Sequence, residues 1–158
     1  MSDEDRKTLL IVAHAPSPNT TALKDAVLRG ANHEEIEGVD VRWVPPLEAG
    51  PEDVRAADGV ILGTTENLGY MSGALKDFFD RTYYQVIEEK EGMPYLLYIR
   101  AGLDGTGTKR AVTSICSGLS WNPVQDPVIF HGEWDESFLG QAEELGQLMA
   151  AGLEAGIY

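Results

Sequence analysis

Ala57-Asp-Gly-Val-Ile-Leu-Gly-Thr-Thr-Glu-Asn-Leu-Gly-Tyr-Met-Ser-Gly-Ala-Leu-Lys-Asp-Phe-Phe-Asp-Arg-Thr82 reads as a buried strand, a loop and an amphipathic helix in succession. Val60, Ile61 and Leu62 form a short apolar run bounded by Asp58-Gly59 and Gly63, the pattern of a strand covered on both faces. Met71, Leu75, Phe78 and Phe79 then recur at helical spacing, with Lys76, Asp77 and Asp80 on the opposite face. The connecting loop, with Gly69 inside it, lies beyond the carboxyl end of that strand. Open α/β sheets bind their ligands there.

The same alternation extends in both directions. Thr8 to Ala13 is an apolar, β-branched run ended by His14-Ala-Pro, and Thr21 to Ala31 reads as a helix. Val39-Asp-Val-Arg-Trp-Val44 alternates as a strand and is stopped by Pro45-Pro46. Pro51 to Ala57 is a short helix with Pro51 suited to its first turn. Downstream, Tyr95 to Arg100, Thr108 to Leu119, Pro127 to His131 and Ser137 to Leu153 give strand, helix, strand and helix. Five βα units in strict alternation imply a three-layer α/β fold, a doubly wound five-stranded parallel sheet with helices on both faces. Strand order 2-1-3-4-5 suits that count. Residues 8–158 are expected to form one domain, with residues 1–7 as a loose tail.

Composition narrows the function classes. The chain has 158 residues, 43% apolar and 24% charged, ordinary values for one globular domain. No apolar run approaches the roughly 20 residues of a membrane-spanning helix, and the polar N-terminus lacks a signal-peptide core. The single cysteine, Cys116, excludes an internal disulfide and any CxxC motif, which fits a cytoplasmic setting. Twelve basic residues against 26 acidic ones give a net charge of −14, which argues against nucleic-acid binding. An acidic surface either steers a basic partner or serves solubility alone.

Three loops meet at the carboxyl edge of such a sheet, those after strands 1, 3 and 4. The first, His14 to Thr21, offers Ser17, Asn19, Thr20 and Thr21 at a helix N-terminus. These are neutral donors for an anion, a phosphate above all, or equally a helix cap. The second, Thr64 to Tyr70, contains Thr65, Glu66, Asn67, Leu68 and Gly69. The third, Arg100 to Gly107, holds three glycines in six residues and brings Ala101, Gly102, Asp104 and Gly105 close to the edge. Glycine there permits close backbone approach to a flat ligand. Thr106 is a candidate contact or a helix cap.

Gly-Tyr-Met-Ser-Gly-Ala-Leu-Lys-Asp-Phe-Phe-Asp-Arg (residues 69–81), with the Ser-Pro-Asn-Thr-Thr run at 17–21, resembles the flavodoxin-like NAD(P)H-dependent FMN reductases. Their pattern is a Gly-Ser-Pro-x-Tyr-like turn followed by Gly-x-Met-Ser/Ala-Gly-x-Leu-Lys and Asp-Arg. The second half matches; Thr65 replaces the usual proline, and Asn67 and Leu68 stand where aromatics are common. The resemblance implies non-covalent FMN, its phosphate at the first loop and its isoalloxazine ring wrapped by Thr64 to Leu68, with Asn67 toward the pyrimidine and Leu68 or Tyr70 near the ring. It places the third loop against a flavin edge. A carboxylate at Glu66 near N1 or O2 would lower the flavin's potential, unless Glu66 is only a solvent-facing turn residue. The function implied is an NAD(P)H-dependent FMN or quinone-type oxidoreductase, with NAD(P)H as electron donor and no acid–base side chain. The alternatives are a flavodoxin-type electron carrier serving a redox partner protein or small-molecule acceptor, and a flavin-binding regulatory module. Homodimers are frequent in the family.

Other site chemistries find no support. Walker and dinucleotide glycine motifs are missing, and Ser72 sits one place off the nucleophile-elbow pattern. His14, His33 and His131 lack metal-ligand spacing. Cys116, Trp43 and Trp121 read as packing residues.

Overall fold

A computed structural model describes residues 5–158. Its elements run β1 (Lys7–Ala13), α1 (Pro18–Ala31), β2 (Val39–Val44), α2 (Pro51–Arg55), β3 (Gly59–Asn67), β4 (Tyr70–Met71), α3 (Gly73–Val86), β5 (Pro94–Ala101), α4 (Thr106–Gly118), β6 (Asn122–Pro123), β7 (Val128–His131) and α5 (Ser137–Ala155). The parallel strands lie in the order β2-β1-β3-β5, and β6 and β7 share the outer edge of β5. Counting that divided strand once, the order is the expected 2-1-3-4-5. Among the described residues, the one antiparallel pairing is the short β3–β4 hairpin.

Period-two alternation delivers two cores. Leu10, Val12, Val60, Leu62, Leu97 and Ile99 pack on one face against Leu75, Phe78 and Phe79 of α3 and Val112 and Cys116 of α4. Leu9, Ile11, Ile61, Leu96, Tyr98 and Phe130 pack on the other against Leu23, Ala26 and Val27 of α1 and Ala142, Leu145 and Met149 of α5. Both faces are covered, so the central strands are apolar without a break. Helices α1 and α5 meet backbone to backbone: a methyl group on Gly30 would stand 1.8 Å from the Glu143 carbonyl oxygen, and one on Gly146 would stand 2.0 Å from that of Val27.

Several boundaries differ from the sequence expectation for identifiable reasons. Helix α1 starts at Pro18, three residues before Thr21, because Ser17 and Thr20 form a capping box with proline at its first position. Strand β3 continues past Gly63 to Asn67. Gly63 is no breaker; it makes room for the Tyr98 ring, whose nearest atom would lie 2.4 Å from any Cβ there. Met71 belongs to β4, and α3 begins only after Ser72, whose hydroxyl caps it by accepting the Leu75 N–H at 3.1 Å. Of the expected tail, residues 1–4 lie outside the described residues; Arg6 already pairs with Asp40, and Lys7 opens β1 beside Val39. Among the described residues, no helix is long and apolar enough to cross a membrane.

Candidate functional site

Ala13, Ala101 and His131 end their parallel strands on the same side of the sheet, and the β3–β4 hairpin projects from that side. The three expected loops therefore share one edge, joined by the turn after β7.

In the first loop, the His14 N–H donates to the Gly63 carbonyl at 3.0 Å and anchors the loop to β3. Burial lowers the His14 imidazole pKa. The Ser17 hydroxyl accepts the Thr20 N–H at 3.2 Å, and the Ser17 N–H donates to Thr20 Oγ1 at 2.9 Å. Both side chains thus serve the cap, and Pro18 brings no N–H. Exposed Asn19 and half-buried Thr21 are the residues of this group left beside the helix N-terminus. Lys24 lies beneath them, nearly buried, its ammonium 2.8 Å from Asp25 and 3.9 Å from the Trp43 ring centre. The Trp43 indole N–H in turn donates to the Ala13 carbonyl at 3.1 Å.

The second loop is a β-hairpin. Glu66 pairs with Met71 and Asn67 with Tyr70, and Leu68 (φ 54°) and Gly69 (φ 75°) form the turn. Two successive positive φ values belong to the tight hairpin turns whose twist matches that of the strands. Leu68 holds the left-handed conformation without being glycine, and its side chain is fully exposed. Thr64 is buried and faces inward: its Oγ1 accepts the Ser72 N–H at 3.0 Å, tying the hairpin to the α3 cap. Thr65 Oγ1 donates to Asn67 Oδ1 at 2.6 Å. Glu66 is half-buried and accepts two backbone N–H groups of the third loop, from Leu103 at 3.0 Å and from Gly105 at 2.8 Å. It is no free turn residue.

In the third loop, Ala101 is buried within β5, whereas Gly102, Leu103 and Asp104 are exposed. A methyl group added at Gly102 would meet nothing within 4 Å. Asp104 Oδ1 accepts the Thr106 N–H at 3.0 Å and the Thr106 hydroxyl at 2.9 Å, which holds its carboxyl below the usual range. Asp104, then, anchors the start of α4, and left-handed Gly105 is its N-cap. A methyl group on Gly107 would stand 2.3 Å from the Gly69 carbonyl oxygen, so hairpin and helix touch through glycine backbone.

Sequence reasoning passed over Leu47, Leu103 and the Lys24–Trp43 stack. Of the nine large exposed apolar side chains among the described residues, five lie along this edge: Trp43, Leu47, Leu68, Tyr70 and Leu103. Exposed apolar side chains gathered at one edge are the kind of surface that apolar partners or ligands use in proteins generally. The signal available in the sequence was leucine in otherwise polar loops. Arg100 secures the turn after β7, donating to the Ala101, Phe130 and Gly132 carbonyls at 3.1, 2.9 and 2.8 Å. A separate groove of about 500 Å³ runs between α5 and the start of β7, lined by Gln125, Val128, Leu145 and Leu148 among others. It contains none of the residues singled out from the sequence.

Residues 21–135 match the family model described as NADPH-dependent FMN reductase. The chain is 32% identical over 111 residues to a flavodoxin of Aquifex aeolicus, covering 70% of this chain and 59% of that protein. It is 29% identical over 92 residues to an NAD(P)H dehydrogenase (quinone) of Acidithiobacillus ferrooxidans, covering 47% of this chain and 46% of that one. The matches thus span about half the length of these two relatives. Among solved structures, a flavodoxin from the domain Archaea superposes with a TM-score of 0.77 at 16% identity, over 93% of this chain and 99% of that one. At that identity the likeness is one of fold.

Proposed function

The chain belongs to the NADPH-dependent FMN reductase family, and from that premise we propose that it binds FMN non-covalently at the carboxyl edge of its sheet and works as an NAD(P)H-dependent FMN or quinone-type oxidoreductase. The observation that carries this reading is the exposure of Leu68 and Tyr70 on the hairpin and of Leu103 on the loop that Glu66 ties to it, with open space where a methyl group on the neighbouring Gly102 would stand. An apolar rim around a glycine backbone suits a flat, apolar ring.

The residues fit the cofactor's two ends differently. The α1 N-terminus, with Asn19 and Thr21 beside it, suits a phosphate through neutral donors and the helix dipole. Ser17 and Thr20 shape that turn through their reciprocal cap bonds. The hairpin supplies Asn67, Leu68 and Tyr70 toward the ring, while Thr64 holds the hairpin to α3. FMN, when bound, supplies hydride acceptance and electron transfer. The chain's own part is orientation of the ring and the electrostatics around it, and no side chain is assigned as an acid or base.

A second reading, an electron carrier without its own NAD(P)H activity, draws on exposed Asp104, Glu133, Asp135 and Glu136 around the same edge. These suit docking of a basic redox partner. One experiment tests both. The purified protein is incubated with excess FMN, desalted, and its visible spectrum recorded; NADPH is then added without oxygen. A retained, perturbed flavin band that bleaches promptly supports the reductase, and a retained band inert to NADPH supports the carrier. A colourless protein refutes both.

A further inference from the structure

We propose that Glu66 is a positioning residue: its carboxylate straps the β5–α4 loop to the β3–β4 hairpin, so that two walls of the candidate site hold one geometry. The consequence for FMN rests on the reading above; the strap itself does not.

The geometry is that of a bidentate carboxylate site. Glu66 Oε1 accepts the Leu103 N–H at 3.0 Å and Oε2 accepts the Gly105 N–H at 2.8 Å. Gly105, at φ 72° and ψ 4°, turns its segment so that two N–H groups two residues apart converge on one anion, as in the anion-binding concavities formed around left-handed residues. Hydrogen bonds to an ionised acceptor are roughly twice as strong as neutral ones. The hairpin is held by other ties as well, including buried Met71 in the core. It has two residue pairs of its own, Glu66 with Met71 and Asn67 with Tyr70, an inner tie from Thr64 to Ser72, and the contact between Gly69 and Gly107. Leu103, the exposed apolar residue of the third loop, is fixed through its own N–H. Glu66 thereby ties the Leu103 backbone directly to the hairpin that carries Leu68 and Tyr70. The strap also keeps these two N–H groups from the ligand, so a bound ring is met by the loop's surface and not by the Leu103 or Gly105 amide.

The test begins without flavin. Hydrogen exchange of the ligand-free protein is followed at Leu103 and Gly105, with Leu10 and Ile11 of β1 as internal reference. In Glu66→Ala the two loop amides are expected to exchange roughly ten-fold faster or more, with the β1 amides unchanged. Wild-type rates at Leu103 and Gly105 overturn the strap. Glu66→Gln keeps the shape but turns an NH₂ toward one of the amides, and is expected to free at least one; it replaces the alanine variant if that fails to fold. With FMN, Glu66→Ala is expected to bind about ten-fold more weakly. The midpoint potential of FMN bound to Glu66→Gln is expected to rise, a readout that packing alone does not move. Unchanged affinity and potential overturn the positioning role. If the wild type takes up no FMN, the functional reading fails and the strap is decided by the exchange measurement alone.

Discussion

Gly107→Ala perturbs the place where hairpin and helix touch. The new methyl carbon would lie 2.3 Å from the Gly69 carbonyl oxygen, whereas ordinary carbon–oxygen contacts begin near ~3.3 Å. The hairpin tip or the first turn of α4 must therefore yield by about 1 Å. Glu66 spans the same seam with bonds of 3.0 and 2.8 Å, and a displacement of that size takes them past the ~3.2 Å limit of good N–H···O geometry. Overpacking costs about 1–3 kcal/mol, offset by at most ~1 kcal/mol of helix propensity gained from glycine to alanine. The net loss is about 1–2 kcal/mol, and at roughly 2–4 °C per kcal/mol for a domain of this size the melting temperature falls by several degrees. Thermal unfolding by circular dichroism measures this, and quenching of FMN fluorescence on titration measures the site. Gly73→Ala is the control: it opens α3, has nothing within 4 Å of its added carbon, and is expected to be neutral or stabilising by under ~1 kcal/mol. A Gly107→Ala protein with wild-type melting temperature and wild-type FMN affinity would refute the contact and the geometry built on it.

Gly102→Ala, whose methyl enters open space, is expected to leave the melting temperature unchanged and weaken FMN binding about ten-fold; undiminished affinity removes Gly102 from the site. Tyr98→Phe deletes a buried hydroxyl with no hydrogen-bond partner among the described residues, and because such burial costs roughly 1–3 kcal/mol the variant should gain about 1 kcal/mol in urea unfolding. A loss of stability there would mean the hydroxyl is satisfied. His14 has its pKa lowered by burial from an ordinary 6.5, so below that pH the unfolded chain binds the proton more readily than the folded one. The stability present above pH 6.5 is lost as pH falls through and below it, and His14→Gln should flatten that part of the profile. Urea midpoints at roughly pH 5 and pH 7 decide it, an unchanged slope counting against His14.

The fold was legible because alternation of apolar runs and helical periodicity carries the sheet-and-helix order directly. Val60 to Leu62 and Tyr95 to Arg100 are apolar at every position that must be buried on one face or the other. What was not legible depends on contacts distant in sequence. Gly63 looked like a strand end, and only the Tyr98 ring, 35 residues on, shows why glycine stands there. The hairpin turn was hidden because Leu68 holds a left-handed backbone that sequence rules reserve for glycine or asparagine. Ser17 and Thr20 were correctly located at a helix N-terminus; sequence alone left open whether they cap it or face a ligand, and the structure shows the cap. For Glu66 the sequence left open a flavin-facing carboxylate and a solvent-facing turn residue; its strap was hidden because its partners, Leu103 and Gly105, are recruited through backbone N–H groups that leave no side-chain signature.

The divided outer strand has a consequence for how copies of this chain meet. β6 and β7 offer two and four residues, and Pro123 and Pro127 flank the gap between them. Proline cannot donate to a growing ladder, and an interrupted edge gives an incoming strand no continuous register to follow. Extension of the sheet from one molecule to the next is blocked on that side. Edge-to-edge pairing is accordingly directed to the opposite side of the sheet, where β2 presents six residues in an unbroken edge.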